Sequence, residues 1–217
     1  MKTKEIFISN NSIADSYVKK HEYPYEVLPL IKSYILEMQK DLDDNYVDHG
    51  DGIYIHNSAT VSYSAEINGP CIIDANAEIR HNAYIRGNVI IGKKSVLGNS
   101  CEIKNSILYD GVQVPHFNYV GDSILGYKSH MGAGSIISNL KSDKKNIVIK
   151  YNDEVIDTNM KKIGAFLGDY VEVGCGAVLN PGTIIFHDSN IYPLTSVRGV
   201  VPENSIVKSM NEIVKKR

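Results

Sequence analysis

The chain has 217 residues, 43% hydrophobic and 22% charged, with a formal net charge of −2. That composition is globular rather than disordered, and no basic stripe is present to bind nucleic acid. No apolar run reaches the ~18 residues of a membrane span, and Ile6-Phe7-Ile8 is too short for a signal-peptide core.

Residues 1–50 read as a helical extension. Val27, Leu28, Ile31, Ile35, Met38 and Leu42 recur at helical spacing. From Ile55 every sixth residue is aliphatic: Val61, Ile67, Ile73, Ile79, Ile85, Ile91, Leu97 and Ile103 follow. Four residues after each of the first eight stands a residue no larger than Val, from Ala59 and Ala65 to Ser95 and Cys101. A period of six is neither helix nor ordinary strand. It predicts a solenoid of short parallel strands, three to a coil of about 18 residues, with the aliphatic residue inside. The phase then slips by one residue at Leu108 and by another at Leu125. The series stops from about residue 140 to 165, where alternation on both sides of Tyr151-Asn152-Asp153 predicts a projecting hairpin that reaches a neighbouring subunit. It resumes at Leu167 and runs to Val197. The expected β-helix domain is residues 51–205, about seven coils, followed by a solvated tail, 206–217. The three cysteines, Cys71, Cys101 and Cys175, are odd in number and far apart, which fits a reducing cytoplasm and opposes a disulfide scaffold.

The hexad pattern resembles the hexapeptide-repeat family, which implies an all-β, left-handed parallel β-helix and a homotrimer. Val114-Pro115-His116-Phe117-Asn118-Tyr119-Val120-Gly121-Asp122-Ser123 and Met131-Gly132-Ala133-Gly134-Ser135 carry a closer likeness. They resemble the acetyltransferase domain of bifunctional N-acetylglucosamine-1-phosphate uridyltransferases. The insert, with Ile163-Gly164-Ala165-Phe166-Leu167-Gly168-Asp169, is similar to archaeal sugar-1-phosphate nucleotidyltransferase/acetyltransferases. The likeness covers residues 55–205 and implies N-acetyl transfer from acetyl-CoA to an amino-sugar phosphate, with no metal required. The residues before the solenoid are too few for a nucleotidyltransferase domain.

His116 matches the family's proposed general base, and a near-neutral imidazole suits that task; a surface histidine at a distorted turn is the plain alternative. Arg86 and Lys104 are one coil apart, so a solenoid stacks them; the resemblance puts them on the sugar phosphate, whereas solvated charges would need no ligand. Tyr119 and Asn139 match positions that hold the acceptor, or are a wedge and a turn residue. Ala133, between two glycines, matches a position near acetyl-CoA; Asp169 and Arg198 are the other expected cofactor contacts, against a turn cap and an end cover. His130 and Leu140-Lys141-Ser142 depart from the family pattern. Two other functions fit the repeat: a non-catalytic trimeric β-helix, and a zinc hydratase of the carbonic-anhydrase kind, which needs three converging histidines.

Overall fold

A strand of two or three residues buries little alone and must stack on its equivalent one coil away. The computed structural model describes residues 1–209 and 212–216, and it shows that stacking from Ile53 onward. The chain winds as a left-handed parallel β-helix. On its first face stack Ile53–His56, Cys71–Ile73, Val89–Ile91, the ends of Glu102–Leu108 and Tyr119–Leu125, then Ala165–Leu167, Thr183–Ile185 and Val200–Val201. The second face runs from Thr60–Val61 through Gln113–His116 and His130–Met131 to Ser205–Ser209. The third runs from Glu66–Ile67 and Tyr84–Ile85 to Ser196–Val197. Ile73, Ile79, Ile85, Ile91, Leu97 and Ile103 are all buried inside the coil.

The phase slips fall at one corner, where the third face passes into the first. Glu102–Leu108 and Tyr119–Leu125 run through it unbroken, and Asn105 and Asp122 take positive φ there, 44° and 51°. The insert between Ile137 and Ala165 leaves from the same corner. The second-to-third corner keeps six residues between Val114 and Val120, so His116 lies on a regular turn rather than a distorted one.

The first face carries an apolar column on its outer side. Ile72, Ile90, Ile107, Ile124, Phe166 and Ile184 are in register, each beside an interior residue, and all are buried. Successive strand residues point to opposite sides, so this column needs an external cover. The N-terminal segment supplies it with Ile6, Phe7, Val27, Leu28, Ile31 and Ile35, all buried. Its expected helix over 25–42 is divided into a 3₁₀ turn Pro24–Leu30, the helix Ile31–Met38 and a second 3₁₀ turn Gln39–Asp41. Pro29 has no N–H for an α ladder, which ends the helix on that side. The helix Ile31–Met38 packs beside the rungs Val89–Ile91 and Glu102–Leu108, not over the open end of the first coil. Ring stacking of Phe7 on buried Tyr109, centroids 5.4 Å apart, fastens the segment.

The insert forms the expected hairpin, Val148–Tyr151 with Glu154–Asp157. It leaves the coil yet folds one side back on it. Ile147 and Ile149 are buried, and a Cβ on Gly182 would meet Ile147 Cγ2 at 2.7 Å, so only glycine lets the hairpin seat there. The C-terminal end differs from the solvated tail expected over 206–217. Ser205–Ser209 joins the second face and Glu212–Lys215 pairs back on it antiparallel. The apolar residues Val207, Ile213 and Val214 give this end a strand pattern, and the pairing covers what would be an open sheet edge. Met210, Asn211 and Arg217 of that tail lie outside the described residues. Among the described residues no helix is long and apolar enough to cross a membrane.

Phe7→Ala is expected to cost about 3–5 kcal/mol, the usual loss for a buried aromatic. Urea denaturation checks this, and a cost under ~1 kcal/mol would show that the segment does not hold the column.

Candidate functional site

Register turns each corner of the coil into a column of side chains. At the second-to-third corner the column runs His81, Asn99, His116, Ala133 and Cys175. The backbone fixes the spacing: Gly134 N donates to His116 O (2.9 Å), and Gly176 N to Ala133 O (2.9 Å). His116 is exposed, with Nδ1 3.1 Å from Asn99 Oδ1. Beneath it lies Asn118, only 3% exposed. Its Oδ1 accepts from His116 N (3.0 Å), and its Nδ2 donates to Gly132 O (2.8 Å) and Ser135 O (3.0 Å). The imidazole is thus mounted on a buried amide bonded to the next rung. Ala133 is exposed on that rung, and its N–H meets no acceptor among the described residues.

The third-to-first corner carries the other group. Tyr119, Asp122 and Asn139 meet there, with Lys104 on the neighbouring rung. Asp122 is 5% exposed and takes three donors: Lys104 Nζ (3.1 Å), Asn105 Nδ2 (3.0 Å) and Asn139 Nδ2 (2.5 Å). Asn139 Nδ2 also reaches the Tyr119 hydroxyl at 3.2 Å. A Cβ on Gly121 would meet that hydroxyl at 2.6 Å, so the bare glycine makes room for the pair. Burial holds the Tyr119 pKa above the usual phenol value, and the Asp122 carboxylate adds to the shift, so the hydroxyl stays neutral. Arg86, one rung from Lys104, holds the half-buried Glu102 at 2.8 Å. Arg198 lies further along the same corner and is exposed.

The structure therefore gathers Lys104, Tyr119 and Asn139, with Arg86 beside them, and sets His116 and Ala133 apart from them. Gly121 follows His116 by five residues, which puts them at most about 16 Å apart along the third face. Asp169 leaves the group of expected cofactor contacts. It is fully buried, and its two carboxylate oxygens accept from Ser9 N (2.6 Å) and Tyr127 N (2.9 Å). It ties the N-terminal segment to the coil and caps a turn. His130, on the second face, pairs with Glu172 at 2.9 Å. No group of three His, Cys, Asp or Glu that could hold a metal occurs among the described residues. Asn99, Asn118 and Asp122 escaped the sequence reading. Asn118 alone carried a signal, since it stands four residues after Val114, where the series elsewhere has small residues.

A three-faced coil with its polar groups at the corners defines the hexapeptide-repeat class of β-helix. The GMPPB C-terminal domain family matches residues 67–193, more than half of the chain, and the chain belongs to that family. A bifunctional sugar-1-phosphate nucleotidylyltransferase/acetyltransferase from Sulfurisphaera tokodaii is 36% identical over 94 residues, which are 43% of this chain and 23% of that protein. A bifunctional protein GlmU from Methanococcus maripaludis is 34% identical over 116 residues, 54% of this chain and 28% of that protein. The chain thus matches about a quarter of the length of these relatives. The polySia-specific acetyltransferase NeuO shares the fold, with a TM-score of 0.52 and 17% identity over 75% of this chain and 79% of that one.

Asn118→Ala takes the amide donor from the buried Ser135 carbonyl, while Gly132 O keeps the Ser135 N–H and hydroxyl, and it removes the support of His116. It is expected to lower stability by about 1–3 kcal/mol. Chemical denaturation measures this, and an unchanged midpoint would mean that water replaces the amide without loss.

Proposed function

We propose that the chain is an acetyl-CoA-dependent N-acetyltransferase for an amino-sugar phosphate. The observation that carries this reading is His116, exposed on a rigid corner with its ring oriented by Asn99 and an unengaged N–H at Ala133 one rung away. With Nδ1–H donating to Asn99 Oδ1, Nε2 keeps its lone pair for a proton. The acceptor amine attacks the thioester carbonyl, His116 Nε2 takes the proton that nitrogen loses, and CoA leaves as the thiolate. The Ala133 N–H faces the oxygen on which charge develops. The relatives' names join sugar-1-phosphate chemistry to acetyl transfer, which supports the donor and the acceptor class. They match only over the β-helix part, so the activity here is that of this domain.

Tyr119 and Asn139 hold sugar hydroxyls in this reading. Arg86 exchanges half-buried Glu102 for the acceptor phosphate, one charge-assisted contact giving way to another. Lys104 stays on buried Asp122 and turns a remaining N–H outward. Because His116 and this group stand at opposite ends of the third face, a second copy completes the site by laying one corner against the other. A homotrimer does this three times by symmetry. Buried Cys71 and Cys101 are free thiols, and burial pushes Cys71 up to about 12, so it is no nucleophile for acyl transfer. Exposed Cys175 lies two rungs from His116, and direct transfer gives it no acyl group to carry.

A panel of amino-sugar 1-phosphates with acetyl-CoA, read by thiol release, tests the reading. His116→Ala should lower turnover by about 10²–10⁴-fold and leave acetyl-CoA affinity nearly unchanged. Cys175→Ser should keep most activity. A His116→Ala protein as fast as the parent, or an acetyl group trapped on Cys175, would overturn the mechanism.

A further inference from the structure

The two ends of the solenoid are finished differently. At the first coil only the first face has a strand beyond it, Tyr46–Asp48 beside Ile53–His56. Among the described residues no strand pairs with the outer edge of Thr60–Val61 or of Glu66–Ile67. Ile55, Val61 and Ile67 are half-buried there, whereas Ile73, Ile79 and Ile85 one coil on are at most 1% exposed. With Val47 and Ile53 they line an open hollow of about 640 Å³. Thr60 and Ser62 donate their N–H groups to the second coil, as do Glu66 and Asn68. Val61 and Ile67 stand between these donors and turn their backbone groups the other way, out of the open end. The rim is acidic. Between Lys40 and Arg80 the chain has eight Asp or Glu and no Lys or Arg. Asp48, Asp51 and Glu66, all exposed, stand beside the hollow. Two such mouths repel one another.

The last coil is the complement. From Ser205 onward the chain has three lysines and an arginine against one acid, Glu212, which Lys208 already holds at 3.2 Å. Ile213 stands opposite Val207 and so shares the interior side of the second face, yet it is 47% exposed. The interior column of that face therefore ends in bare Ile213 at one end and in half-buried Val61 at the other. The outer edge of Glu212–Lys215 pairs with no strand among the described residues. We propose that a second copy of this chain docks on the mouth head to tail. Its Glu212–Lys215 strand lies along Thr60–Val61, Ile213 extends the interior column onto Val61, and Lys208 and Lys215 meet Asp48, Asp51 and Glu66. The second-face sheet then runs from one copy into the next. Such a contact is heterologous, so each pair keeps one mouth and one basic strand free and the stack grows. It is independent of the acetyl-transfer reading.

Sedimentation velocity of the full chain tests it. In low salt the mass should rise with protein concentration, in whole multiples of the smallest unit. Salt at about 1 M should reverse the rise, because it shortens the screening length to ~3 Å. Two double substitutions at exposed positions, Asp48→Lys with Glu66→Lys and Lys208→Glu with Lys215→Glu, should each hold the chain at the smallest unit. Unchanged melting temperatures will show that both variants are folded. Mixing the two variants should restore growth, since a lysine-bearing mouth then meets a glutamate-bearing strand. A parent that keeps one mass at every concentration in low salt would overturn the contact. So would growth that survives either double substitution, as a mouth-to-mouth contact survives reversal of the strand. A mixture that stays at the smallest unit would overturn it as well.

Discussion

Everything in this molecule follows from the register of stacked rungs. Each strand gives its N–H and C=O groups to the rungs before and behind it, and a slip of one residue would turn its aliphatic side chain outward. Register therefore holds the interior. It holds the corners just as firmly, because a corner residue is as fixed along the axis as the strand it follows. His116 stands between Asn99 and Ala133 for the same reason that Val114 stands between Leu97 and Met131.

Tolerance is not shared equally among the corners. The second-to-third corner keeps its spacing through every described rung and presents His116, Ala133 and Cys175. The third-to-first corner absorbs the shortened turns, the positive φ of Asn105 and Asp122, and the whole insert. A shortened turn has little room for solvent, so its polar groups turn on one another, and Asp122 collects Lys104, Asn105 and Asn139. The regular corner supplies an imidazole of fixed placement. The irregular one supplies variety of shape and charge.

Much of this was legible in the residues. The hexads from Val61 to Ile103 specified the interior, the slips at Leu108 and Leu125 marked the irregular corner, and Ile147 to Ile156 announced a hairpin. What stayed hidden depended on partners far away in the chain. Asp169 looked like a cofactor contact because its partner, Ser9, lies 160 residues earlier. Asp122 gave no signal because its donors come from rungs 17 residues to either side. The outer column was visible as doublets, Ile72-Ile73, Ile90-Ile91, Ile107-Leu108 and Ile124-Leu125, one on each successive coil. A period-six reading absorbs the second member of each doublet and overlooks the first, so the cover laid by Phe7 and Ile31 could not be foreseen. Pro29 divides the expected helix, although the apolar residues on both sides of it keep helical spacing.

That cover alters how the molecule can come apart. In a bare solenoid each coil touches only its neighbours, and loss of an end coil leaves the rest intact. Here one segment at the start of the chain lies along rungs that reach from Ile72 to Ile184, and Asp169 bonds it near the far end. To fray the last coils is to loosen the cover, and a loosened cover bares the outer side of the middle ones. An architecture that would otherwise unzip step by step is bound into a single cooperative unit, and the shape of the His116 corner is protected by contacts on the opposite side of the coil.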